Sequence, residues 1–207
     1  MENPVTLEVF SDIACPWCYF SIGRIEQLKQ EFNLEVKWIA YPLHPETPEE
    51  GSNLEELLAE RNLDISEVQA SLKKVADGVG LPFSPCSMIY NSRRAQELTK
   101  WAESLGKGDE CHDAMFRAYF VDCLNIAKIP VLKDIADSIG LPGNDVEKVL
   151  SEGLFKDAVD RDWEYSEACE ILAAPTFIVN GKRAVGAQPY ETLRQLVMNN
   201  SHALSMA

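Results

Sequence analysis

Cationic residues are scarce in this chain: 19 Lys and Arg stand against 33 Asp and Glu, for a net charge of −14. Such a surface repels phosphate backbones and anionic lipid headgroups, which argues against nucleic acid and membrane surfaces as partners and favours solubility. Long apolar runs are missing too. No stretch approaches the ~20 apolar residues that a bilayer-spanning helix needs, so no integral membrane protein is expected. Glu8 and Asp12 interrupt the first apolar stretch, and no basic leader or small-residue cleavage pattern accompanies it; a secretory signal is not expected. Histidine is sparse, with three in 207 residues, and neither a second CxxC nor an HxxxH pattern is present to complete a tetrahedral zinc site. The sequence therefore implies no metal.

What is present is one strong motif. Cys15-Pro16-Trp17-Cys18 follows directly on the alternating run Val5-Thr6-Leu7-Glu8-Val9-Phe10. Two thiols three residues apart at the start of a helix share a face, roughly 5–6 Å apart, so a small shift closes a disulfide. Unpaired N–H groups at the helix start favour a thiolate at Cys15, the expected nucleophile. Pro16 suits the first helical position, whose N–H is unpaired in any case. Cys18, one turn further in, is expected to be more shielded and to resolve a mixed disulfide formed at Cys15. Trp17, Tyr19 and Phe20 would supply an apolar rim. The remaining cysteines, Cys86, Cys111, Cys123 and Cys169, show no regular spacing. Placed on one helix, Cys111 and Cys123 would lie roughly 18 Å apart, beyond bridging distance, and both read as small core hydrophobes. The expected compartment is a reducing cytosol, making the protein cytoplasmic.

Along the chain, the first strand and the cysteine helix, which continues through Ile22, Ile25 and Leu28, lead to a second alternating strand at Val36, Trp38 and Ala40. This is a βαβ unit with parallel strands. Pro42, Pro45 and Pro48 then end regular structure. From about Leu54 to Leu150 the pattern is helical, with Met115 to Phe120 read as packing, Asn91-Ser92 and the His112 cluster as solvated helix starts, and His44 as a loop histidine. Strand character returns at Thr176-Phe177-Ile178-Val179. Asn180-Gly181, the dipeptide suited to a type I′ turn, then joins it to Arg183-Ala184-Val185, and a last helix carries Leu193 and Val197. The reading is an α/β chain of βαβ plus ββα, interrupted by an all-helical insertion. The segments are 1–42 for the first part, 43–151 for the insertion and 152–207 for the second part.

With these residues in order, the chain resembles the DsbA-like thioredoxin-fold oxidoreductases, specifically the FrnE-like branch related to 2-hydroxychromene-2-carboxylate isomerases and kappa-class glutathione transferases. Asp12 to Tyr19 resembles that branch's active-site segment, Leu43 to Gly51 its proline-rich crossover, and Phe116 to Phe120 a recurrent helix signature. Ala174-Pro175-Thr176-Phe177, with Gly186 to Pro189, resembles the segment bearing the family's cis-proline. The resemblance implies a thioredoxin fold and dithiol–disulfide exchange at Cys15 and Cys18. It also implies a substrate platform of Pro16, Trp17, Ala174, Pro175 and Thr176, on which the Ala174 backbone pairs with an extended substrate. No cofactor is implied beyond the Cys15–Cys18 disulfide itself, with glutathione as a small partner beside thiol and disulfide proteins. The oligomeric state stays open, a homodimer included. The second reading is a glutathione-dependent isomerase or transferase, relatives that typically present a serine near the position of Cys15; the two cysteines here argue against it.

Overall fold

The computed structural model describes residues 4–201. In chain order, β1 (Val5–Ser11) leads through α1 (Pro16–Tyr19) and α2 (Ile22–Glu31) to β2 (Leu34–Ala40). Then come β3 (Ser52–Asn53), α3 (Leu54–Ala59), α4 (Ile65–Gly78), β4 (Met88–Ile89), α5 (Arg93–Ser104), α6 (Gly108–Phe120), α7 (Ile129–Ser138), α8 (Gly143–Ser151) and α9 (Lys156–Ala168). The chain closes with β5 (Thr176–Val179), β6 (Lys182–Val185) and α10 (Tyr190–Ser201). It divides into two units, one up to Leu43 and from Asp162 onward, the other His44–Arg161. The return to the first unit thus falls inside α9, beyond the 151/152 point read from sequence.

The first unit is built on a four-stranded sheet in the order β2-β1-β5-β6. β1 and β2 run parallel from Val5↔Leu34 to Ser11↔Ala40, while β5 lies antiparallel to β1 through Val9↔Phe177 and Phe10↔Thr176. Asn180 and Gly181, with φ of 47° and 75°, make the tight β5–β6 turn that two left-handed residues in succession define. One sheet face packs Leu7, Val9, Trp38, Phe177 and Val179 against Ile25 and Leu28 of α2 and Leu193 and Val197 of α10. The other buries Phe10, Ile39, Ile171 and Ile178, with the Tyr165 ring stacked on Phe10. β5 is therefore central and buried on both faces, as a strand covered on two sides must be. β1, also central, is covered on its second face at Phe10 but leaves Thr6 exposed and Glu8 half-buried. At the border, β6 exposes Lys182, Arg183 and Val185.

Four expectations are corrected. The cysteine helix does not run on unbroken into α2. Ser21 Oγ donates to Trp17 O (2.7 Å), so the Ser21 N–H turns to Cys18 O (3.0 Å) in a tighter turn; a serine side chain competing for an i−4 carbonyl is the physical reason. The middle block is not all-helical, because β3 and β4 pair antiparallel through Ser52↔Ile89 and Asn53↔Met88; strands of two residues are too short to show an alternation. Cys123 is not a lone core cysteine but is bridged to Cys86, with Cα atoms 5.5 Å apart. α6 stops at Phe120, and Cys123 takes a left-handed φ of 53° that reverses the chain, so Cys111 and Cys123 do not share a helix. His112, finally, is no solvated helix start: it is buried on α6, tilted against the Phe116 ring and 3.7 Å from Glu103.

Candidate active site

The end of β1 and the start of β5 build this site, both within the first unit. After Ser11 the chain turns through Asp12, which is 1% exposed. Its carboxylate accepts from Ala14 N (2.8 Å) and Leu43 N (2.9 Å), and its carbonyl accepts from Cys15 N (3.1 Å). One buried acid thereby fastens the approach to Cys15 to the segment leaving β2. Cys15 then caps α1 in an extended conformation, with Pro16 in the first turn and Cys18 N and Tyr19 N donating to Cys15 O.

From the other side comes the peptide preceding β5. The Ala174–Pro175 bond is cis, and the Cys15 thiol donates to Ala174 O at 3.3 Å across 159 residues of sequence. The Phe10↔Thr176 pairing that makes β1 and β5 neighbours sets this approach. Pro175 O accepts from Gly186 N (2.7 Å), tying the same peptide to the end of β6. Thr176 is buried and its hydroxyl donates to Ala173 O (2.7 Å), so its side chain holds the turn instead of facing outward.

The cysteines are equally shielded, at 2% exposure for Cys15 and 3% for Cys18. What separates them is electrostatic. Cys15 is held below its ordinary value, chiefly because the Cys18 thiol donates to it; the backbone N–H groups of Cys18 and Trp17 add to this, while burial and the charge of Asp12 push the other way. Cys18 is pushed well up, first by burial and then by its bond and charge interaction with Cys15, with the Ser11 hydroxyl and the Asp12 backbone opposing. Of the aromatic residues expected at the rim, only Trp17 is open to solvent, at 42%; Tyr19 and Phe20 are buried, Phe20 meeting the Trp17 ring edge-on. Pro16 beside them is half-buried.

Asp12 and Ser11 are the site residues that the sequence reading gave no role. The available signal was an acid set between an apolar strand and the cysteine motif, where a solvated loop would be the ordinary explanation. Asn91 lies in the other unit, and its amide is spent on Pro45 O (3.1 Å) and Thr47 O (2.8 Å). Among the described residues, no group of three or more His, Cys, Asp or Glu could hold a metal ion. No helix among them is long and apolar enough to cross a membrane.

Asp12 can be tested directly. Its charge opposes a thiolate at Cys15, so Asp12→Asn should lower the Cys15 pKa and speed alkylation by iodoacetamide at pH 6. An amide has only one acceptor oxygen for the two N–H groups, and stability should fall by about 1–3 kcal/mol. Alkylation slower than in the natural chain would refute this account of the charge.

A paired-thiol turn at the head of a helix, facing the peptide before an antiparallel strand of a β2-β1-β5-β6 sheet, defines the thioredoxin-fold class of thiol–disulfide proteins. The chain belongs to the family of DSBA-like thioredoxin domains, whose profile matches residues 6–198. It is 26% identical over 184 residues to the uncharacterised protein YwbO of Bacillus subtilis (strain 168), covering 88% of this chain and 90% of that protein. Its fold is similar to a probable DsbA oxidoreductase from Streptomyces coelicolor (TM-score 0.89, 24% identity, 96% of this chain and 91% of that one). It is similar also to a 2-hydroxychromene-2-carboxylate isomerase (TM-score 0.76, 14% identity, 97% and 98% covered).

Proposed function

We propose that this DsbA-like protein catalyses thiol–disulfide exchange through Cys15 and Cys18, on protein disulfides or on glutathione disulfide. In the reducing direction, Cys15 thiolate attacks one sulfur of the substrate disulfide and expels the other as a thiolate, which takes up a proton. Cys18 loses its proton and attacks the Cys15 sulfur, releasing the second substrate thiol and closing the Cys15–Cys18 bond. Two electrons pass from the dithiol to the substrate, and oxidation of a substrate dithiol is the reverse. Trp17 and Pro16 bound the thiol on one side. Ala174, Pro175 and Thr176 bound it on the other, and the Ala174 backbone is what an extended substrate would pair with. The observation that carries this reading is the Cys15 thiol, its pKa lowered, 3.3 Å from the Ala174 carbonyl.

Both thiols are present, so exchange needs no sulfur from glutathione; glutathione enters as a substrate or as the reductant that resets the couple. The isomerase reading rests on the shared fold alone. A cytosolic location belongs to the same proposal, since a glutathione pool there would turn the couple over.

The test is Cys18→Ser with insulin as substrate. The first attack survives and the second does not, so the variant should accumulate a mixed disulfide at Cys15, visible by mass spectrometry, while multiple turnover falls by about 100-fold or more. Turnover at the natural rate, with no trapped adduct, would overturn the assignment of Cys18.

A further inference from the structure

The helical unit joins Cys86, on the segment between α4 and β4, to Cys123, just past α6, across a sequence separation of 37. Bonds that do not involve sulfur hold these two stretches together. Ser84 N donates to Phe120 O (2.9 Å) and Ser84 Oγ to Val121 O (2.6 Å). Tyr90 N donates to the Tyr119 hydroxyl (3.2 Å) and the Phe83 ring stacks on Phe120, while Gln69 Nε2 of α4 fixes the Cys86 segment separately by donating to Cys86 O (3.0 Å). These contacts flank the bridge on both strands of chain. With the sulfur bond open, they would still leave Cys86 and Cys123 near a Cα separation of 5.5 Å, inside the range from which a disulfide forms.

The pair is also within reach of solvent. Cys86 and Cys123 are half-buried, and their neighbours Pro85, Ser87, Asp122 and Leu124 are exposed. Cys111 in the same unit is the contrast: fully buried, its thiol is pushed up to about 12, chiefly by burial and with the charges of Glu103 and Glu110 adding to it. Exchange requires a thiolate and an approach path, and Cys111 has neither.

We propose that Cys86 and Cys123 form a second redox couple, opened and closed by small thiols and disulfides of the glutathione class, which sets the stability of the helical unit. It goes beyond the exchange assigned to Cys15 and does not depend on it. To close, the thiolate of one cysteine attacks a sulfur of glutathione disulfide and releases one glutathione, leaving a mixed disulfide. The other cysteine, having lost its proton, attacks the protein-side sulfur and releases the second glutathione. The two cysteines lose two protons and two electrons, and glutathione disulfide gains them as two thiols. Opening is the reverse. The segment so fastened carries β4 and Asn91, and Asn91 holds Pro45 and Thr47 of the crossover. Gly51, with a φ of +88°, packs so closely that a Cβ there would come within 2.5 Å of Tyr90. The bridge thus anchors a strap that holds residues 45–53.

The test uses the full chain with Cys15→Ser and Cys18→Ser, which silences the first couple and leaves Cys86 and Cys123 as they are. The protein is equilibrated without denaturant in mixtures of reduced and oxidised glutathione, quenched with acid and alkylated, and its Cys86 and Cys123 peptides are weighed. The expected result is a bridged and a dithiol form that reach the same ratio from either side, with the melting temperature lower by on the order of 10 °C when open. Cys86→Ser with Cys123→Ser in the otherwise natural chain should melt like the open form, ignore the glutathione ratio, and reduce insulin within about twofold of the natural rate. A bridge that opens only in denaturant, thiols that stop at a mixed disulfide, or a melting temperature indifferent to the bridge would each overturn the proposal. The glutathione equilibration decides even if the serine pair fails to fold.

Discussion

Cys15→Ser should cut disulfide reduction by about three orders of magnitude or more, because a serine hydroxyl is not ionised near neutral pH and cannot act as leaving group in exchange. The fold should stay intact, since oxygen replaces sulfur at a capping position whose side chain makes no cap bond. The pH dependence of the natural chain tests the same residue from the other direction. The ordinary thiol value is 9.0 and Cys15 lies below it, so the thiolate fraction, and the exchange rate with it, should rise with pH through a midpoint below 9.0. Cys18, pushed the other way, stays a thiol over that window and keeps donating to Cys15. Insulin reduction followed by turbidity and alkylation followed by mass shift report the two quantities. Retained reduction in Cys15→Ser would remove the thiolate from the mechanism, and a midpoint at or above pH 9.0 would remove its activation.

The second large effect concerns the platform beneath the site. Phe177→Ala should cost about 3–5 kcal/mol. The ring has no solvent exposure and sits among Leu7, Val9, Ile25, Leu28, Trp38, Leu193 and Val197, where no small rearrangement refills its volume. Urea unfolding should show the loss as a lower midpoint at an unchanged slope. Because β5 begins at Thr176, a loosened strand would also shift Ala174 away from the Cys15 thiol, and exchange should slow in the folded fraction. A loss under 1 kcal/mol would mean that the cluster does not hold β5 in place.

The outer elements were legible because their signals are local. Val5, Leu7 and Val9 announce β1 by alternation. Pro16 marks the start of α1, and Asn180-Gly181 specifies a turn by the backbone angles those two residues tolerate. What stayed hidden depends on pairs of residues far apart in the chain. Nothing in the spacing of Cys86 and Cys123 distinguishes a bridge from two packing cysteines; the bridge follows from where α6 stops and from the left-handed turn at Cys123. Asp12 reads as an ordinary loop acid until Leu43, thirty-one residues on, supplies the N–H that its second oxygen accepts. The break between α1 and α2 turns on one choice of partner by the Ser21 hydroxyl, and hydrophobic periodicity carries no information about that.

The sheet ends at β6, where Lys182 and Arg183 sit side by side on a short border strand. An unpaired ladder there is an invitation to another chain, and two like charges along it make a copy of the same border a poor fit. Concentrated protein should therefore resist stacking through this rim, and a substitution of both cations by threonine would turn the rim from a barrier into a seam.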